Sequence, residues 1–170
     1  MLDTLKTPAD TVEMKVRQAP LRESYMRLPS AAQISDHATT RCDRIDPGQP
    51  LYTEVEFGDV NRTRLPLSLH QGVGGQSDLP VPGELLSAAI AGCLDSTIRV
   101  IANMFGLKLQ TLEVHVEADV DLRGTLRMDP AVPIAFQQLK VQVNIVPASQ
   151  VPPEHLDAIC LLYTSDAADD

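Results

Sequence analysis

The sequence contains no tryptophan and few other aromatic residues, with three phenylalanines and three tyrosines among 170 residues. Aliphatic side chains must therefore fill the core, and the apolar fraction of 44% is typical of a globular protein. The length suits one domain of ordinary size and is too short for two comfortable ones. No apolar run reaches about 18 residues, and the N-terminus lacks a hydrophobic signal core, so we expect a cytoplasmic protein without a membrane span.

Basic residues are also scarce, since 14 Lys and Arg face 23 Asp and Glu, which gives a net charge of −9. An acidic surface repels phosphate backbones, so nucleic acid is not expected as a partner. The three cysteines (Cys42, Cys93 and Cys160) form no CxxC pair, and no Cys/His spacing predicts zinc. We therefore expect no metal, and in a reducing cytosol lone cysteines are more often inert core residues.

Short alternating segments predict an antiparallel meander early in the chain. His37 to Asp43 is short and Thr-rich, while Leu51 to Phe57 and Arg64 to His70 alternate apolar and polar residues. Two clearer strands follow at Leu112 to Leu122 and Leu139 to Ile145, each with one polar face. Residues 1 to about 35 are weakly patterned and read as an arm with one or two helical turns interrupted by Pro29.

Two segments lie between these strands. The glycine-rich run of residues 72 to 83 lacks the GK[ST] ending of a phosphate-binding loop, so we expect neither a nucleotide nor another cofactor there. Glu84 to Gly106 then predicts the longest helix, which is apolar on every side in its first half. Such a helix belongs inside a protein or an oligomer, so Cys93 is predicted to lie on a buried helix.

The segment P-G-E-L-L-S-A-A-I-A-G-C, Pro82 to Cys93, resembles the signature of the OsmC/Ohr superfamily. The following L-D-S-T-I-R-V-I-A-N and the segments D-V-D-L-R-G-T-L and P-I-A-F-Q-Q-L-K are similar to one branch of it. The resemblance runs from about residue 15 to 155. It implies an α+β fold in which an antiparallel sheet wraps around a long buried central helix, and it implies an intertwined homodimer.

The resemblance also implies a chemistry, in which the helix cysteine attacks organic hydroperoxides and becomes a sulfenic acid that a second cysteine traps. The attacking form is the thiolate, and a free cysteine is only about 3% ionised at pH 7. Cys93 lies about 13 Å along the axis from Glu84, too far for the helix end to help. A cation must come from elsewhere in the fold.

The resemblance places that cation on an arginine of the first hairpin, held by an acid near the start of the cysteine helix. Arg44 and Arg41 are the candidates, with Arg44 preferred because it sits at the turn; both are equally well read as solvated turn residues. In the peroxidase branch the acid lies ten residues before the cysteine, where this chain has Gly83. Glu84 is the nearest carboxylate, and its other interpretation is a residue that favours the helix N-terminus.

The last part of the chain departs from the resemblance. Cys160 lies near the family's spacing for a second cysteine, but D-A-I-C-L-L-Y-T-S does not match the expected continuation. We therefore expect an arm at residues 1–35, an OsmC-like domain at 36–162 and an anomalous or truncated tail at 163–170.

Three functions stay open. The first is a thiol peroxidase that acts on organic hydroperoxides and is restored by a dithiol reductant, with Cys93 as nucleophile and Leu86, Ala89, Ile90 and Ile98 as an apolar lining. The second is a non-catalytic relative that binds a small apolar ligand at the dimer crevice. The third is a scaffold in which Cys93 only fills the core, since one fold hosts many functions.

Overall fold

The computed structural model describes residues 13–152 of the chain. Its helices and strands alternate irregularly along the sequence, as an α+β fold requires. In chain order they are α1 (Met14–Arg27), β1 (Ala38–Thr40), β2 (Tyr52–Phe57), β3 (Thr63–Ser68), α2 (Pro82–Met104), β4 (Leu109–Asp119), α3 (Leu122–Thr125) and β5 (Gln138–Pro147). The predicted class, with antiparallel sheets and one long helix, is confirmed.

The first three strands form the predicted antiparallel meander, with β2 in the centre. Val55 pairs with Thr40 on one side and with Leu65 on the other. β1 is shorter than the Thr-rich segment suggested and ends at Thr40, so Arg41 and Arg44 follow it in the connection to β2. This connection turns at Asp46, whose Oδ1 accepts a hydrogen bond from the Gly48 N–H at 2.8 Å.

Helix α2 has well-defined ends that the sequence encodes. Pro82 occupies the first helical position, where its missing N–H costs nothing. The Glu84 side chain accepts a hydrogen bond from the Val81 N–H at 3.0 Å, which is one half of a capping box. At the other end Gly106 adopts a φ of 70°, and the Leu107 N–H bonds back to the Ala102 carbonyl at 2.8 Å.

The burial predicted for α2 is not found within the single chain. Only Ile98 and Ala102 are buried, and Cys93 is exposed. The helix has the length and hydropathy of a membrane-spanning helix, a property that core helices of soluble proteins share. The apolar first half of α2 is therefore only exposed or half-buried in the single chain.

Strands β4 and β5 form a second sheet. Its strands run antiparallel, because Gln137 N donates to Asp119 O at 2.9 Å and Ala148 N donates to Lys108 O at 2.8 Å. The predicted alternation holds in β4 from Leu112 to Asp119, where every second residue is half-buried. In β5 it does not, since its apolar side chains at Leu139, Val141 and Val143 are all exposed in the single chain.

Two boundaries differ from the sequence prediction. β4 stops at Asp119, because the Asp121 side chain accepts a hydrogen bond from the Arg123 N–H at 3.0 Å and starts the short helix α3. The arm contains a full helix, α1, rather than one or two turns, and Pro20 lies inside it. None of its residues is buried, so α1 lacks the apolar face from which a helix is predicted.

The described residues form two compact units. The sheet unit comprises Ile34–Ala91 and His115–Gln142, and its core centres on Leu67 and Val81. The helix unit comprises Gly92–Val114 with residues 13–33 and 143–152, and its core centres on Ile98 and Ala102. The predicted boundaries at residues 35 and 162 stay a prediction, and Cys160 lies outside the described residues.

Candidate functional site

Cys93 lies in the middle of α2 and belongs to the helix unit. Its backbone carbonyl accepts hydrogen bonds from the hydroxyls of Ser96 and Thr97, both at 2.9 Å. Within residues 13–152 the thiol itself has no hydrogen-bond or ion-pair partner, and it is exposed in the single chain. In the single chain the thiol is therefore accessible to a reagent.

The apolar lining predicted around Cys93 is only partly assembled in one chain. Ile98 is 1% exposed and forms part of the core, while Leu86 is 38% exposed. Ile90 is half-buried and Ala89 is exposed. The helix thus offers an apolar surface beside the thiol that the single chain leaves uncovered.

The cation closest to Cys93 in sequence on α2 is already paired. Arg99 Nε donates to Asp95 Oδ2 at 2.7 Å, in an i, i+4 pair on the exposed face of the helix. The hydrogen bond that Arg99 donates to Asp95 raises the pKa of Arg99. A cation that activates Cys93 is therefore still to be sought on another element.

Arg44 and Arg41, the two predicted cations, each hold a carboxylate of the central strand. Arg44 Nη2 donates to Glu54 Oε2 at 2.6 Å, and Arg41 Nη2 donates to Glu56 Oε1 at 2.9 Å. The Arg41 side chain is 44% exposed and the Arg44 side chain 57%. Neither arginine is an unattached turn residue, because each extends over the sheet to a fixed acid.

Arg64 of β3 joins these pairs into one network. Its Nη1 lies 2.9 Å from Asp43 Oδ2 and 3.2 Å from Glu54 Oε1, and its Nε lies 2.9 Å from Glu56 Oε2. We call this network the arginine–carboxylate cluster. It contains three arginines and three acids, all in the sheet unit, and its members are Arg41, Asp43, Arg44, Glu54, Glu56 and Arg64.

The electrostatics of the cluster favour the charged form of every partner whose pKa shifts. Hydrogen bonds from Arg41 and then Arg64 hold the pKa of Glu56 below its usual range. The hydrogen bond from Arg64 lowers the pKa of Asp43 in the same way. The acids in turn raise the pKa of Arg64. With equal numbers of both signs, the cluster is neutral as a whole.

Glu54 departs most from the sequence prediction. It lies on the strand face that the alternation assigned to water, yet it is 5% exposed. Its burial is tolerated because both carboxylate oxygens receive an arginine. Sequence reasoning missed both Glu54 and Arg64. The available signal was a Glu-x-Glu pair on one strand facing an arginine on the next, but it depends on a hairpin register that the sequence does not state.

Glu84, the predicted orienting acid, is used at the start of α2. Its Oε2 accepts the Val81 N–H at 3.0 Å, as described above. This contact supports the interpretation of Glu84 as a residue that stabilises the helix N-terminus. Gly83 lies ten residues before Cys93. A Cβ added to it would lie 3.4 Å from the Phe136 ring, which is an ordinary van der Waals contact. Glu84, Arg41 and Arg44 belong to the sheet unit and Cys93 to the helix unit.

The glycine-rich loop has a structural reason for its composition. A Cβ on Gly75 would lie 1.9 Å from the Leu69 carbonyl oxygen, so only glycine allows this approach of two backbone segments. Buried Ser68 fixes the end of the loop, because its hydroxyl donates to Leu79 O at 2.8 Å. Tyr52 donates to Asp78 Oδ2 at 2.9 Å, which raises the pKa of the tyrosine. The loop is thus tied to the sheet by its own contacts.

Two further features bear on ligands. Across residues 13–152, His, Cys, Asp and Glu side chains form no group of three or more that could hold a metal ion. The helix unit contains a groove of about 980 Å³ whose lining mixes apolar residues with Glu13, Lys15, Arg99, Asn103 and Lys108. Its apolar lining includes Met14, Val100, Ala102, Phe105, Leu107 and Leu109.

Comparison with known proteins identifies relatives of this arrangement. The sequence profile of the family described as "OsmC-like protein" matches residues 75–165, which is more than half of the chain and includes all of α2. A search among curated proteins finds no significant match.

Solved structures share the fold at low sequence identity. A Vibrio cholerae OsmC-like protein of unknown function is 14% identical, with a TM-score of 0.56 over 76% of this chain and 87% of that one. A Legionella pneumophila protein, described as an organic hydroperoxide resistance protein OsmC and predicted redox protein, is 21% identical, with a TM-score of 0.51 over 76% and 82%. An organic hydroperoxide resistance protein from Elizabethkingia anophelis, with bound thiocyanate, is 16% identical, with a TM-score of 0.51 over 75% and 80%.

Proposed function

The chain belongs to the family of OsmC-like proteins, and on that premise we propose that it is a thiol-dependent peroxidase that reduces organic hydroperoxides through Cys93. The observation that carries the proposal is the position of Cys93 in the middle of the long apolar helix α2, within the segment that the family profile matches. Relatives described as organic hydroperoxide resistance proteins share the fold and support the same chemistry.

The proposed reaction balances with two co-reactants, an organic hydroperoxide and a dithiol. The thiolate sulfur of Cys93 attacks one peroxide oxygen, an S–O bond forms, the O–O bond breaks, and the leaving oxygen takes a proton to become an alcohol. Cys93 is oxidised to a sulfenic acid. One thiol of the dithiol condenses with it and releases water, and the second thiol then reduces the mixed disulfide and restores Cys93.

The thiolate needs a cation, and we assign that role to Arg44, with Arg41 as the second candidate. Arg44 reaches a buried acid, and its side chain is more exposed than that of Arg41, so it presents its other N–H groups to solvent. Positive charge near a thiol favours the thiolate and stabilises the anionic oxygen that leaves. Glu84 was the acid predicted for this site, and its contact with the Val81 N–H supports its other interpretation as a residue that stabilises the helix start.

The proposal includes a homodimer. α2 is long, mostly apolar and little buried in the single chain, and the apolar side of β5 is exposed as well. Exposed apolar surface of this extent on two elements is typical of an interface. We propose that a second copy covers it, which would also complete the apolar lining beside Cys93. A cytoplasmic location remains part of the proposal, and the acidic composition argues against a nucleic-acid partner.

A second candidate is a non-catalytic OsmC-like protein that binds a small apolar ligand. The groove in the helix unit favours it, as does Gly83 at the position where the peroxidase branch has its acid. In that case Cys93 would serve as packing residue or scaffold, without redox chemistry.

Turnover separates the two. Purified protein is mixed with cumene hydroperoxide and dithiothreitol, and loss of peroxide is followed alongside the Cys93→Ser and Cys42→Ser variants. Cys42→Ser is the control, because Cys42 is also exposed. We expect wild type and Cys42→Ser to consume many molecules of peroxide per chain, and Cys93→Ser to consume none above background. Equal consumption by wild type and Cys93→Ser would refute the peroxidase and leave ligand binding as the better account.

A further inference from the structure

Glu54 is a buried carboxylate that the proposed reaction has not yet used. It lies on the central strand β2, is 5% exposed, and carries an arginine on each oxygen. A buried charge needs such compensation, but one arginine with good geometry and a backbone donor would supply it. Glu54 instead bridges Arg44, in the turn after β1, to Arg64 on β3.

The bridge fixes the position of Arg44. A long side chain in an exposed turn samples many rotamers, and a charge-assisted hydrogen bond at 2.6 Å selects those that reach Glu54. The backbone of Glu54 adds a second restraint on this turn, because its carbonyl oxygen accepts a hydrogen bond from the Arg41 N–H at 3.0 Å. The turn that carries Arg44 is thus attached to Glu54 through both its main chain and its side chain.

Glu54 is itself held in place. Strand pairing on both sides of β2 fixes its backbone, and Arg64 Nη1 holds its second oxygen at 3.2 Å. Arg64 is oriented in turn by Asp43 and Glu56. Among the described residues, Glu54 is the ion-pair partner of Arg44, so the other N–H groups of that guanidinium are available to an anionic sulfur or oxygen.

We propose that Glu54 is the positioning residue for Arg44 in the peroxidase reaction, and that Arg64 clamps it from the other side. This role rests on the proposed function. It assigns to the sheet the acid that the sequence led us to seek at the start of α2, where Glu84 is engaged with Val81.

The test is a double-mutant cycle on kcat/KM for cumene hydroperoxide with Arg44→Ala, Glu54→Gln and the double variant. Asp121→Asn is the matched control, because Asp121 also pairs with an arginine, Arg123, but lies outside the arginine–carboxylate cluster. Misplacing a catalytic group costs about ten- to hundredfold in rate. We expect Glu54→Gln to lose at least tenfold, Asp121→Asn less than threefold, and the double variant to be no slower than Arg44→Ala alone.

Glu54→Asp provides a second route if Glu54→Gln unfolds, since it keeps the charge and withdraws the carboxylate from Arg44. Its loss should also vanish in the Arg44→Ala background. Losses that add in the double variant, or a Glu54→Gln protein that is folded and fully active, would overturn the role of Glu54 alone. A wild-type protein without Cys93-dependent turnover would overturn the proposed function, and this role with it.

Discussion

Arg44 Nη2 lies 2.6 Å from Glu54 Oε2, which connects an exposed arginine in the turn after β1 to a carboxylate that is 5% exposed on β2. The pair gives the fold a cation whose position is set by the sheet rather than by solvent. It also distinguishes Arg44 from surface arginines whose position is set by solvent alone.

The first prediction concerns the cation. Arg44→Ala should shift the alkylation of Cys93 by iodoacetamide to higher pH, because the thiolate would lose the positive charge that we propose stabilises it. The rate at pH 7 should fall about tenfold, measured in a Cys42→Ser, Cys160→Ser background. Arg22→Ala is the control, since Arg22 is exposed on α1 and its side chain donates a hydrogen bond to Gln18 of the same helix. An unchanged pH profile in Arg44→Ala would exclude Arg44 as the activating group.

The second prediction concerns acid stability. Arg64 lowers the pKa of Asp43, and Arg41 and Arg64 lower that of Glu56, so the unfolded state binds more protons than the folded state in the acid range. Their contribution to stability is complete above the unfolded values, about 4, and is lost as the pH falls through the lower folded values. The urea midpoint of unfolding should therefore decrease below about pH 4, and Arg64→Gln should weaken that decrease.

The contribution of the cluster is isolated by comparison with another salt bridge. Arg123→Gln removes a pair with Asp121 outside the cluster. It should reduce the acid dependence less than Arg64→Gln, since Arg64 bonds to three carboxylates. Identical acid profiles for wild type and Arg64→Gln would contradict the assignment.

The third prediction concerns the oligomer. Leu86 is 38% exposed on the apolar part of α2, and a charge there would lie in the proposed interface. Leu86→Glu should convert a dimer to a monomer in sedimentation velocity, whereas Val16→Glu, at a 64% exposed site on α1, should not. A monomeric wild-type protein at tens of micromolar would show that the apolar surface of α2 has another occupant.

The fourth prediction explains the glycine-rich loop without a ligand. Gly75→Ala would force a Cβ to within 1.9 Å of the Leu69 carbonyl oxygen, so the backbone must move. Overpacking of this kind costs about 1–3 kcal/mol, to be measured as the loss in unfolding free energy. Gln71→Ala, at an exposed position of the same loop, should change stability by less than about 0.5 kcal/mol. Equal stabilities would show that the loop relaxes freely.

Much of the fold was readable from the sequence because the strands alternate and α2 carries its own boundary signals. Pro82, Glu84 and Gly106 each act within a few residues of the helix ends, so their effect is local and predictable. The full length of α1 was not predicted, because this helix buries no residue and therefore has no apolar face in its sequence pattern.

Less of the candidate site could be predicted from the sequence. Cys93, Arg44 and Arg41 were found through the resemblance, but the partners of both arginines depend on strand register. Glu54 alternates with Val55 like any solvent-facing residue, and only the approach of Arg44 and Arg64 explains its burial. The exposure of α2 also could not be predicted from the sequence, because an apolar helix has the same sequence pattern whether its own chain or a second copy covers it.

The most direct test of the peroxidase account is the rate at which Cys93 is oxidised by cumene hydroperoxide and by hydrogen peroxide, in a single turnover at pH 7 with Cys42 and Cys160 replaced by serine. Mass spectrometry would assign the sulfenic acid. The account predicts oxidation at Cys93, faster with the organic peroxide because the helix surface beside the thiol is apolar. Hydrogen peroxide as the better oxidant would refute the apolar site, and reaction with both at the rate of free cysteine would contradict an activated thiol.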